Sequence, residues 1–179
     1  MQVGIPGFED EQKRVIAASY GDLRVVNLYV VNGKAVGDEK YDYKLRWLAA
    51  VREWLREEIA LHPNLVVLGD FNIAPEDRDS YDPVGLAESI HHTTEERDHF
   101  KALLGLGLHD AFRLFEQPEK SYSWWDYRML GYQKNRGLRI DHILVSAPLV
   151  PQVKASSIDR VPRKWPKPSD HAPVTVELG

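Results

Sequence analysis

"NLVVLGDFN", residues 64–72, is the stretch that decides the fold, because a continuous apolar run ends there in polar residues. Such a run, followed by glycine and then by an acid and an amide, is typical of a buried strand whose carboxyl end opens into a loop. The next segment, 73–92, is polar and contains Pro75 and Pro83, as a long loop would. We therefore predict a buried central strand that ends in polar side chains.

The segments before this strand predict a hairpin and a helix. Residues 14–18 and 23–31 are rich in Val and Ile and are separated by the turn-like stretch SYGD, a pattern typical of two strands joined by a tight turn. Within 41–61, apolar residues recur three or four positions apart and form one face of an amphipathic helix. Pro63 follows directly, as is common after the end of a helix.

The second half of the chain predicts one more helix and several strands. Thr93 and Glu96 fit a capping box at the start of the helix, and Gly105 or Gly107 is suited to its end. Four strands are expected after it, near residues 121–128, 139–146, 153–158 and 172–178. The whole chain, 1–179, is therefore predicted to form one α+β domain, with sheets packed face to face and helices covering an outer face.

Composition excludes several classes of protein. With 43% apolar and 10% aromatic residues among 179, the chain is globular and not disordered. No stretch reaches the roughly 20 apolar residues of a membrane span, so no membrane partner is expected. The absence of cysteine excludes disulfides and thiolate chemistry. Because residues 1–14 lack the basic start and apolar middle of a signal peptide, a cytoplasmic location is predicted.

Charge is distributed unevenly along the chain. Residues 120–167 hold ten Lys or Arg and three Asp, a net charge of +7; since the whole chain carries −4, the remainder carries −11. Such asymmetry is the electrostatic footprint of a protein that binds a polyanion. A solvated basic face without any partner is the alternative.

Two polar residues lie at the end of the predicted central strand. Asp70 and Asn72 are two positions apart, so their side chains point to the same side of the sheet. Strand ends and the loops that follow them are the usual location of catalytic groups. For this motif taken alone, an ordinary Asx turn that terminates the strand is the preferred interpretation.

A second acid interrupts an apolar strand. Asp141 lies in GLRIDHILVS, residues 137–146, where burying a lone carboxylate is costly unless a partner is present. A cationic or hydrogen-bonding partner is therefore expected, and a structural salt bridge to an arginine is the simpler alternative. The neighbouring His142 points to the other face, where we expect it to be half-exposed.

The C-terminal stretch KPSDHAPVTVELG, residues 167–179, brings an acid and a histidine to a third strand end. Asp170 and His171 lie just before a run of alternating apolar residues, the pattern of a half-buried strand. His171 could be the partner of Asp141, since a carboxylate on one imidazole nitrogen fixes the tautomer and leaves the other nitrogen for substrate. Asp170 could bind a hard divalent cation through oxygen. Three such strand ends together fit metal-assisted phosphodiester hydrolysis.

An aromatic and basic segment, residues 121–139, adds a candidate surface for nucleic acid. Aromatic side chains stack on bases or wedge into a base step, while basic side chains contact phosphates. The candidate DNA-binding residues are Trp124, Trp125, Tyr127, Arg128, Lys134, Asn135 and Arg136. The alternative is one core tryptophan with a polar rim, and we expect one of Trp124 and Trp125 to be buried.

Four blocks of the sequence, in their order and spacing, resemble the exonuclease III family of abasic-site endonucleases. They are VVLGDFNIAP (66–75), YSWWDYR (122–128), NRGLRIDHILVS (135–146) and KPSDHAPV (167–174). The resemblance implies the four-layer αββα sandwich of the deoxyribonuclease I-like superfamily. It also implies Mg²⁺- or Mn²⁺-dependent cleavage of double-stranded DNA at abasic sites, with 3′-to-5′ exonuclease and 3′-phosphatase or phosphodiesterase activity on 3′ ends.

The resemblance assigns roles to individual residues. Asp70 corresponds to the catalytic aspartate that positions or deprotonates water or assists the leaving oxygen, and Asn72 to the amide that binds the phosphoryl group. His171 corresponds to the histidine paired with Asp141. Tyr29 corresponds to the tyrosine whose hydroxyl reaches the scissile phosphate, although a buried core tyrosine is the alternative. The implied metal ligands are Asp70, Asn72, Asp170 and His171.

At its N-terminus the chain departs from the family pattern. Family members carry an additional N-terminal part with a catalytic asparagine and the glutamate that is the main metal ligand. We therefore expect an N-terminally truncated domain with impaired activity and a tendency to associate, whereas the full-length form is expected to be a monomer. Two other functions stay open: a superfamily phosphatase acting on small or lipid phosphate esters, and a non-catalytic DNA-binding remnant.

Overall fold

Ten strands and two α-helices make up the regular structure, in a computed structural model that describes all 179 residues. The strands are β1 Gln2–Val3, β2 Val15–Tyr20, β3 Leu23–Tyr29, β4 Leu65–Asp70, β5 Leu108–Asp110, β6 Trp124–Trp125, β7 Gly137–Leu138, β8 Asp141–Ser146, β9 Val153–Ile158 and β10 Val174–Leu178. The helices are α1 Glu39–Leu61 and α2 Thr94–Leu104. The predicted α+β class is confirmed. Neither helix combines the length and apolarity needed to cross a lipid bilayer.

A six-stranded mixed sheet forms the centre of the domain. Its order is β1-β2-β3-β4-β8-β5, and only β3 and β4 run parallel. The register aligns Tyr29 with Asp70 across β3 and β4, and Asp70 with Asp141 across β4 and β8. Three chain segments thus meet in one row at this edge, and β4, the strand predicted from 64–72, lies in the middle of the row.

The helices cover one face of this sheet, and a second, small sheet covers the other. On the helical side, a cluster of 20 buried residues includes Trp47 of α1 and Phe100 of α2, packed with Val67 of β4. On the opposite side, Ile143 of β8 belongs to an apolar cluster against which side chains of β10, such as Val176, pack. The layers therefore follow the order helix, sheet, sheet, which agrees with the predicted face-to-face packing.

Both helices begin where the sequence places a cap. Asp38 accepts a hydrogen bond from the backbone N–H of Lys40 at the start of α1. At α2, the Thr93 hydroxyl accepts from the N–H of Glu96, while the Glu96 carboxylate accepts from the N–H of Thr93. The predicted capping box is therefore confirmed, as is Gly105 at the end of the helix, and such an N-cap stabilises a helix by about 1 kcal/mol.

Two predicted strands are wrong in extent. The strand expected at 121–128 is reduced to the two residues of β6, and the one expected at 139–146 starts only at β8. The cause is Ser123, whose hydroxyl oxygen accepts hydrogen bonds from the backbone N–H groups of Ile140 and Asp141, each at 3.1 Å. A side chain thus replaces the partner strand at this point. β6 pairs instead with β7, outside the central sheet.

His142 is 1% exposed, so the expectation of a half-exposed histidine is wrong. Because β8 is covered on both faces, the ring packs between Phe71 and Phe100, with centroid distances of 5.4 and 4.7 Å. Its Nδ1 accepts from the Arg139 guanidinium at 3.0 Å, and its Nε2 donates to the backbone oxygen of Ile73 at 3.0 Å. Burial and the charge of Arg139 lower the pKa of His142 to about 4, so this histidine is neutral and structural.

Candidate active site

A glycine allows Asp70 to keep its place in the row of strand ends. Gly69 has a φ of +135°, and a Cβ placed on it would lie 1.9 Å from the backbone oxygen of Leu28 on the neighbouring parallel strand. A side chain at this position would therefore push β3 away from β4. The close approach of the two strands, which aligns Tyr29 with Asp70, depends on the missing side chain.

Asp70, Asp141 and His171 converge at this edge of the sheet. One ligand atom from each residue lies within 4.8 Å of the other two. Nδ1 of His171 lies 2.9 Å from Oδ2 and 3.1 Å from Oδ1 of Asp141, which leaves Nε2 free. The structure thus pairs Asp141 with the histidine and not with an arginine.

This cluster holds an excess of negative charge. Burial, together with the charge of Asp141, raises the pKa of Asp70 to about 6. Burial opposes protonation of His171, but the hydrogen bond and charge of Asp141, with smaller contributions from Asp70 and Asp170, outweigh it and raise the pKa of the imidazole. The charge of Asp141 contributes to both shifts, since a nearby carboxylate disfavours a second negative charge and favours a positive one.

Asn72 is buried next to Asp70 in an Asx turn. Its backbone N–H donates to Asp70 Oδ1 at 2.9 Å, and its side-chain Nδ2 donates to Asp70 Oδ2 at 3.1 Å and to the backbone oxygen of Val30 at 3.0 Å. Its Oδ1 accepts from Nδ2 of Asn32 at 3.2 Å. The turn that the sequence favours is present, and the same hydrogen bonds orient the Asp70 carboxylate.

The backbone of Asn72 is left-handed, with a φ of +51°, and two donors hold its carbonyl oxygen. Lys44 Nζ donates to it at 2.7 Å, and Nδ1 of His91 lies 2.7 Å away. Lys44 is fully buried, donates also to the backbone oxygen of Asn32 at 3.3 Å, and forms an ion pair with Glu96 of α2. Side chains from α1 and α2 thus extend through the core to the segment that carries Asn72.

Three residues of the site are absent from the sequence-based prediction: Asn32, Lys44 and His91. Asn32 follows the end of β3 as Asn72 follows β4, so the strand-end position was a usable signal. Lys44 precedes Leu48 by four residues and therefore lies on the apolar face of α1, where a lysine requires a buried partner. His91 carries no comparable signal, because its contact depends on the path of the long loop before α2.

The predicted metal ligands and the observed cluster differ at three positions. Asp170 lies outside the cluster, and its Oδ2 accepts a hydrogen bond from Trp124 Nε1 at 2.9 Å. The amide oxygen of Asn72 is occupied by Asn32. Asp141, which is not among the predicted ligands, contributes a carboxylate instead.

Tyr29 lies beside Asp70 in the row of strand ends and is 53% exposed, so the alternative of a buried core tyrosine is wrong. The guanidinium carbon of Arg14 lies 4.9 Å from the centroid of its ring. The face of the ring is thus covered by a residue just before β2, while half of the side chain stays accessible to a substrate that approaches the cluster.

The aromatic and basic segment has a buried part and an exposed part. Trp125 is fully buried and its Nε1 donates to Asn135 Oδ1 at 3.1 Å, while Trp124 is half-buried beside Asp170. The prediction that one of the two tryptophans is buried is confirmed. The exposed members of the predicted DNA-binding set are Tyr127, Arg128, Lys134 and Arg136. Trp125 and Asn135 therefore support the segment from within.

A cavity of about 620 Å³ is lined in part by this segment. Asn32, which contacts Asn72, and Trp124, which contacts Asp170, both line it, so the cavity adjoins the cluster. Other residues of the lining are Leu86, Ile90, His91, Arg136 and Leu138. Its volume lies within the range of small-molecule sites, about 300–1,000 Å³.

The donor atoms of the cluster fit a divalent cation. Two carboxylates and one imidazole lie within 4.8 Å of one another. Carboxylate oxygens are the ligands that hard cations such as Mg²⁺ and Mn²⁺ prefer. The raised pKa of Asp70 agrees with this fit, because burial and the charge of Asp141 outweigh the opposing charges of His171 and Lys44.

Comparisons with known proteins identify similar sequences and structures. The profile of the Endonuclease/Exonuclease/phosphatase family matches residues 3–171. The chain is 36% identical to Exodeoxyribonuclease III of Haemophilus influenzae over 186 aligned positions, which cover 95% of this chain and 68% of that protein.

Two solved structures are similar over nearly the whole chain. One is the 3′ phosphatase NExo from Neisseria bound to a product DNA hairpin, with a TM-score of 0.97, 46% identity, and coverage of 99% of this chain and 70% of that one. The other is an AP endonuclease from Archaeoglobus fulgidus, with a TM-score of 0.93, 32% identity, and coverage of 99% and 69%. The deoxyribonuclease I-like architecture implied by the sequence is confirmed.

Proposed function

The chain belongs to the endonuclease/exonuclease/phosphatase family and is of its DNA-repair nuclease type, and on this premise we propose that it cleaves DNA as a 3′-to-5′ exonuclease and abasic-site endonuclease. One observation carries the proposal: Asp70, Asp141 and His171 meet at one sheet edge. The family depends on divalent metal, and this cluster offers the ligands. We propose that the full-length form acts as a monomer, located in the cytoplasm.

Asp70 is the proposed acceptor of a proton from the attacking water. Its two carboxylate oxygens are held by the backbone and side-chain N–H groups of Asn72, so their orientation is set before substrate arrives. A pKa raised to about 6 leaves the group ionised at neutral pH and more basic than an ordinary aspartate. A general base is most effective when its pKa lies close to the working pH.

His171 and Tyr29 are the proposed donors to the phosphoryl oxygens. Asp141 holds Nδ1 of His171, so Nε2 is available to a substrate and the imidazolium is stabilised. The exposed Tyr29 side chain, next to Asp70 in the sheet register, can add its hydroxyl to the same phosphate. Donors placed where negative charge develops stabilise the transition state.

Mg²⁺, with Mn²⁺ as the substitute, is the proposed cation. Asp70 and Asp141 would hold it through carboxylate oxygens with His171 beside it, while Asn72 and Asp170 keep the hydrogen bonds described above. When bound, such a cation neutralises charge on the phosphoryl oxygens and lowers the pKa of coordinated water.

Double-stranded DNA with abasic sites or 3′ ends is the proposed substrate. The cavity beside the cluster presents the apolar side chains of Trp124 and Leu138, which suit a sugar that has lost its base. Arg128, Lys134 and Arg136 are exposed and can contact backbone phosphates. Because the similar Neisseria protein is described as a 3′ phosphatase, removal of a 3′ phosphate from DNA is a second candidate activity of the same site.

A cleavage assay tests this function. Labelled duplexes with an internal abasic site, a recessed 3′ end or a 3′ phosphate are incubated with the protein in Mg²⁺, Mn²⁺ or EDTA. We expect cleavage with either metal and none in EDTA. Asp70→Asn and His171→Ala should each lower the rate at least about 100-fold while leaving the circular dichroism spectrum unchanged.

Asp98→Asn is the matched control, because Asp98 is exposed on α2 and pairs with Lys101, outside the cluster. It should cleave at the wild-type rate. A wild-type protein that cleaves none of these duplexes with either metal overturns the proposal. Turnover of small phosphate esters with no preference for DNA would instead identify a superfamily phosphatase.

A further inference from the structure

The loop between β9 and β10, residues 159–173, carries an exposed tryptophan that the proposed function does not use. Trp165 is 60% exposed, whereas Trp47, Trp54 and Trp125 are 5% exposed or less. Tryptophan side chains are usually well buried, and their large rigid faces are enriched where proteins contact partners. An indole that stays in water at this position is therefore a candidate contact surface.

Trp165 lies among positive charges. Residues 160–169 contain four Lys or Arg and no Asp or Glu. Lys164 and Lys167, on either side of the tryptophan, are exposed, and neither takes part in an ion pair of the chain. The ammonium groups are thus free for an external anion. An aromatic face between unpaired cations is the combination that binds single-stranded nucleic acid.

Hydrogen bonds and cation–π contacts hold the loop against the aromatic and basic segment, so the side chains of the loop have a defined position. Tyr127 Oη donates to the backbone oxygen of Pro168 at 2.7 Å, and Tyr132 Oη donates to that of Arg160 at 3.3 Å. The guanidinium of Arg163 lies over the rings of Tyr127 and Tyr132, at 5.5 and 4.9 Å from their centroids. These contacts join the loop to a surface already predicted to meet DNA.

Arg163 also places a buried positive charge within the loop. The residue is 6% exposed, and its Nε and Nη1 have no hydrogen-bond partner. The π faces of the surrounding aromatic rings are what stabilise the cation. Because no carboxylate neutralises it, its field adds to that of Lys164 and Lys167 and favours an anion at the surface of the loop.

The loop is close to the phosphate that would be cleaved. Trp165 is five residues from Asp170, a separation of at most about 18 Å even for an extended chain. Asp170 in turn contacts Trp124 at the edge of the cavity beside the cluster. Since one strand of duplex DNA advances about 3.4 Å per nucleotide, Trp165 lies within about five nucleotides' length of Asp170, the residue that precedes His171 of the cluster.

We propose that Lys164, Trp165 and Lys167 form a nucleotide-binding surface beside the active site, where Trp165 stacks on an unpaired base of the substrate DNA and the lysines contact its phosphates. This inference rests on the proposed function, since it requires DNA as the substrate. A base paired inside a duplex offers no free face to the indole, whereas an overhanging base does. The surface therefore gives the enzyme a preference for ends with an unpaired strand over blunt ends.

Binding measured in EDTA separates this surface from catalysis. The probes are a blunt duplex and the same duplex with a short single-stranded overhang at its 3′ or 5′ end. Trp165→Ala should weaken binding of one overhang duplex about tenfold or more, as expected for the loss of one base–aromatic stack, and should change binding of the blunt duplex less than about twofold. Tyr20→Ala, which removes a similarly exposed aromatic residue at the other end of β2 from the strand ends of the site, should change neither.

Fluorescence supplies a second readout. Trp165 is the most exposed of the five tryptophans, so stacking of a base on it should quench emission more with the overhang duplex than with the blunt duplex. Trp165→Phe should lose most of that difference, whereas any quenching of Trp124 is common to both duplexes. Replacing Lys164 and Lys167 with Ala should reduce the salt dependence of binding to the overhang duplex. Trp165 is at the surface, so circular dichroism spectra of all variants should match the wild type.

Three results would overturn the inference: overhang binding that is unchanged in Trp165→Ala, equal weakening of blunt and overhang duplexes, or an excess of quenching by the overhang duplex over the blunt duplex that persists in Trp165→Phe. Equal weakening would mean that the loop contacts paired DNA only. In each of these cases a wild-type protein that still cleaves DNA with Mg²⁺ leaves the proposed function intact. A wild-type protein that neither binds nor cleaves DNA would remove both.

Discussion

Nδ1 of His171 lies 2.9 Å from Oδ2 of Asp141, although the two residues are 30 positions apart in the chain. The pairing arises from topology: β8 begins at Asp141 opposite Asp70, and His171 bridges to Trp124 just before β10. The carboxylate therefore fixes one imidazole nitrogen and leaves the other at the edge of the sheet. This arrangement makes the contribution of Asp141 measurable separately from that of the histidine.

Asp141→Asn should lower the turnover number on duplex substrates about 100- to 1,000-fold, because the imidazolium loses the charge that stabilises it. The pKa of His171 should fall in the variant, since the hydrogen bond and charge of Asp141 are what raise it. NMR titration of the His171 ring in metal-free protein measures that change. A His171 pKa that stays the same would show that Asp141 does not control the imidazole.

Asp70→Asn should make the metal-free protein more stable at neutral pH while abolishing cleavage. The folded pKa of Asp70, about 6, lies above the ordinary value of 3.8, so between these values the folded state binds more protons than the unfolded state. The stability contributed by Asp70 is therefore present below about pH 4 and is lost as the pH rises through 6. The variant should gain about 1–3 kcal/mol at pH 7 in EDTA and nothing near pH 4.

Urea unfolding of both proteins at the two pH values measures this difference. Saturating Mg²⁺ should reverse the order at neutral pH, because a cation that binds only the folded wild type stabilises it. Equal stabilities at pH 7 without metal would mean that the Asp70 carboxylate is not disfavoured by its surroundings.

Lys44→Met should destabilise the protein by about 3–5 kcal/mol, because it leaves the buried carboxylate of Glu96 without its partner. The double variant Lys44→Met with Glu96→Gln should recover part of this loss, since no uncompensated charge remains. Lys101→Met is the matched control, because Lys101 forms an exposed ion pair with Asp98 on α2, the helix that also carries Glu96. It should change the free energy of unfolding by less than about 1 kcal/mol.

The parts of the site that lie at strand ends could be predicted from the sequence. Alternating or continuous apolar runs locate β4, β8 and β10, and the polar residues at their ends follow from the chain itself. The sequence alone was therefore sufficient to identify Asp70, Asp141 and His171. Their separation in the sequence does not matter, because β4 and β8 are neighbours in the central sheet and β10 packs against that sheet from the second one.

The buried residues that hold the segments of the site in place could not be predicted in the same way. The burial of His142 follows from packing on both faces of β8, which an alternating pattern does not reveal. The contact of His91 with the Asn72 carbonyl depends on the path of a long loop. Lys44 is intermediate, since its place on the apolar face of α1 was visible but its partners, supplied by two loops and a second helix, were not.

Gly69→Ala tests whether the close approach of β3 and β4 is required for the site. Its Cβ would lie 1.9 Å from the Leu28 oxygen, so the strands must separate, and we expect a loss of about 2–4 kcal/mol together with reduced cleavage. Gly21→Ala is the control: Gly21 also has positive φ, at +58°, but has no atom within 4 Å of an added Cβ. Gly21→Ala should lower the free energy of unfolding by only about 1 kcal/mol, the cost of a left-handed backbone for an L-residue. It should leave cleavage unchanged. If the two variants lose the same stability, the contact with Leu28 adds nothing and the placement of Asp70 does not depend on it.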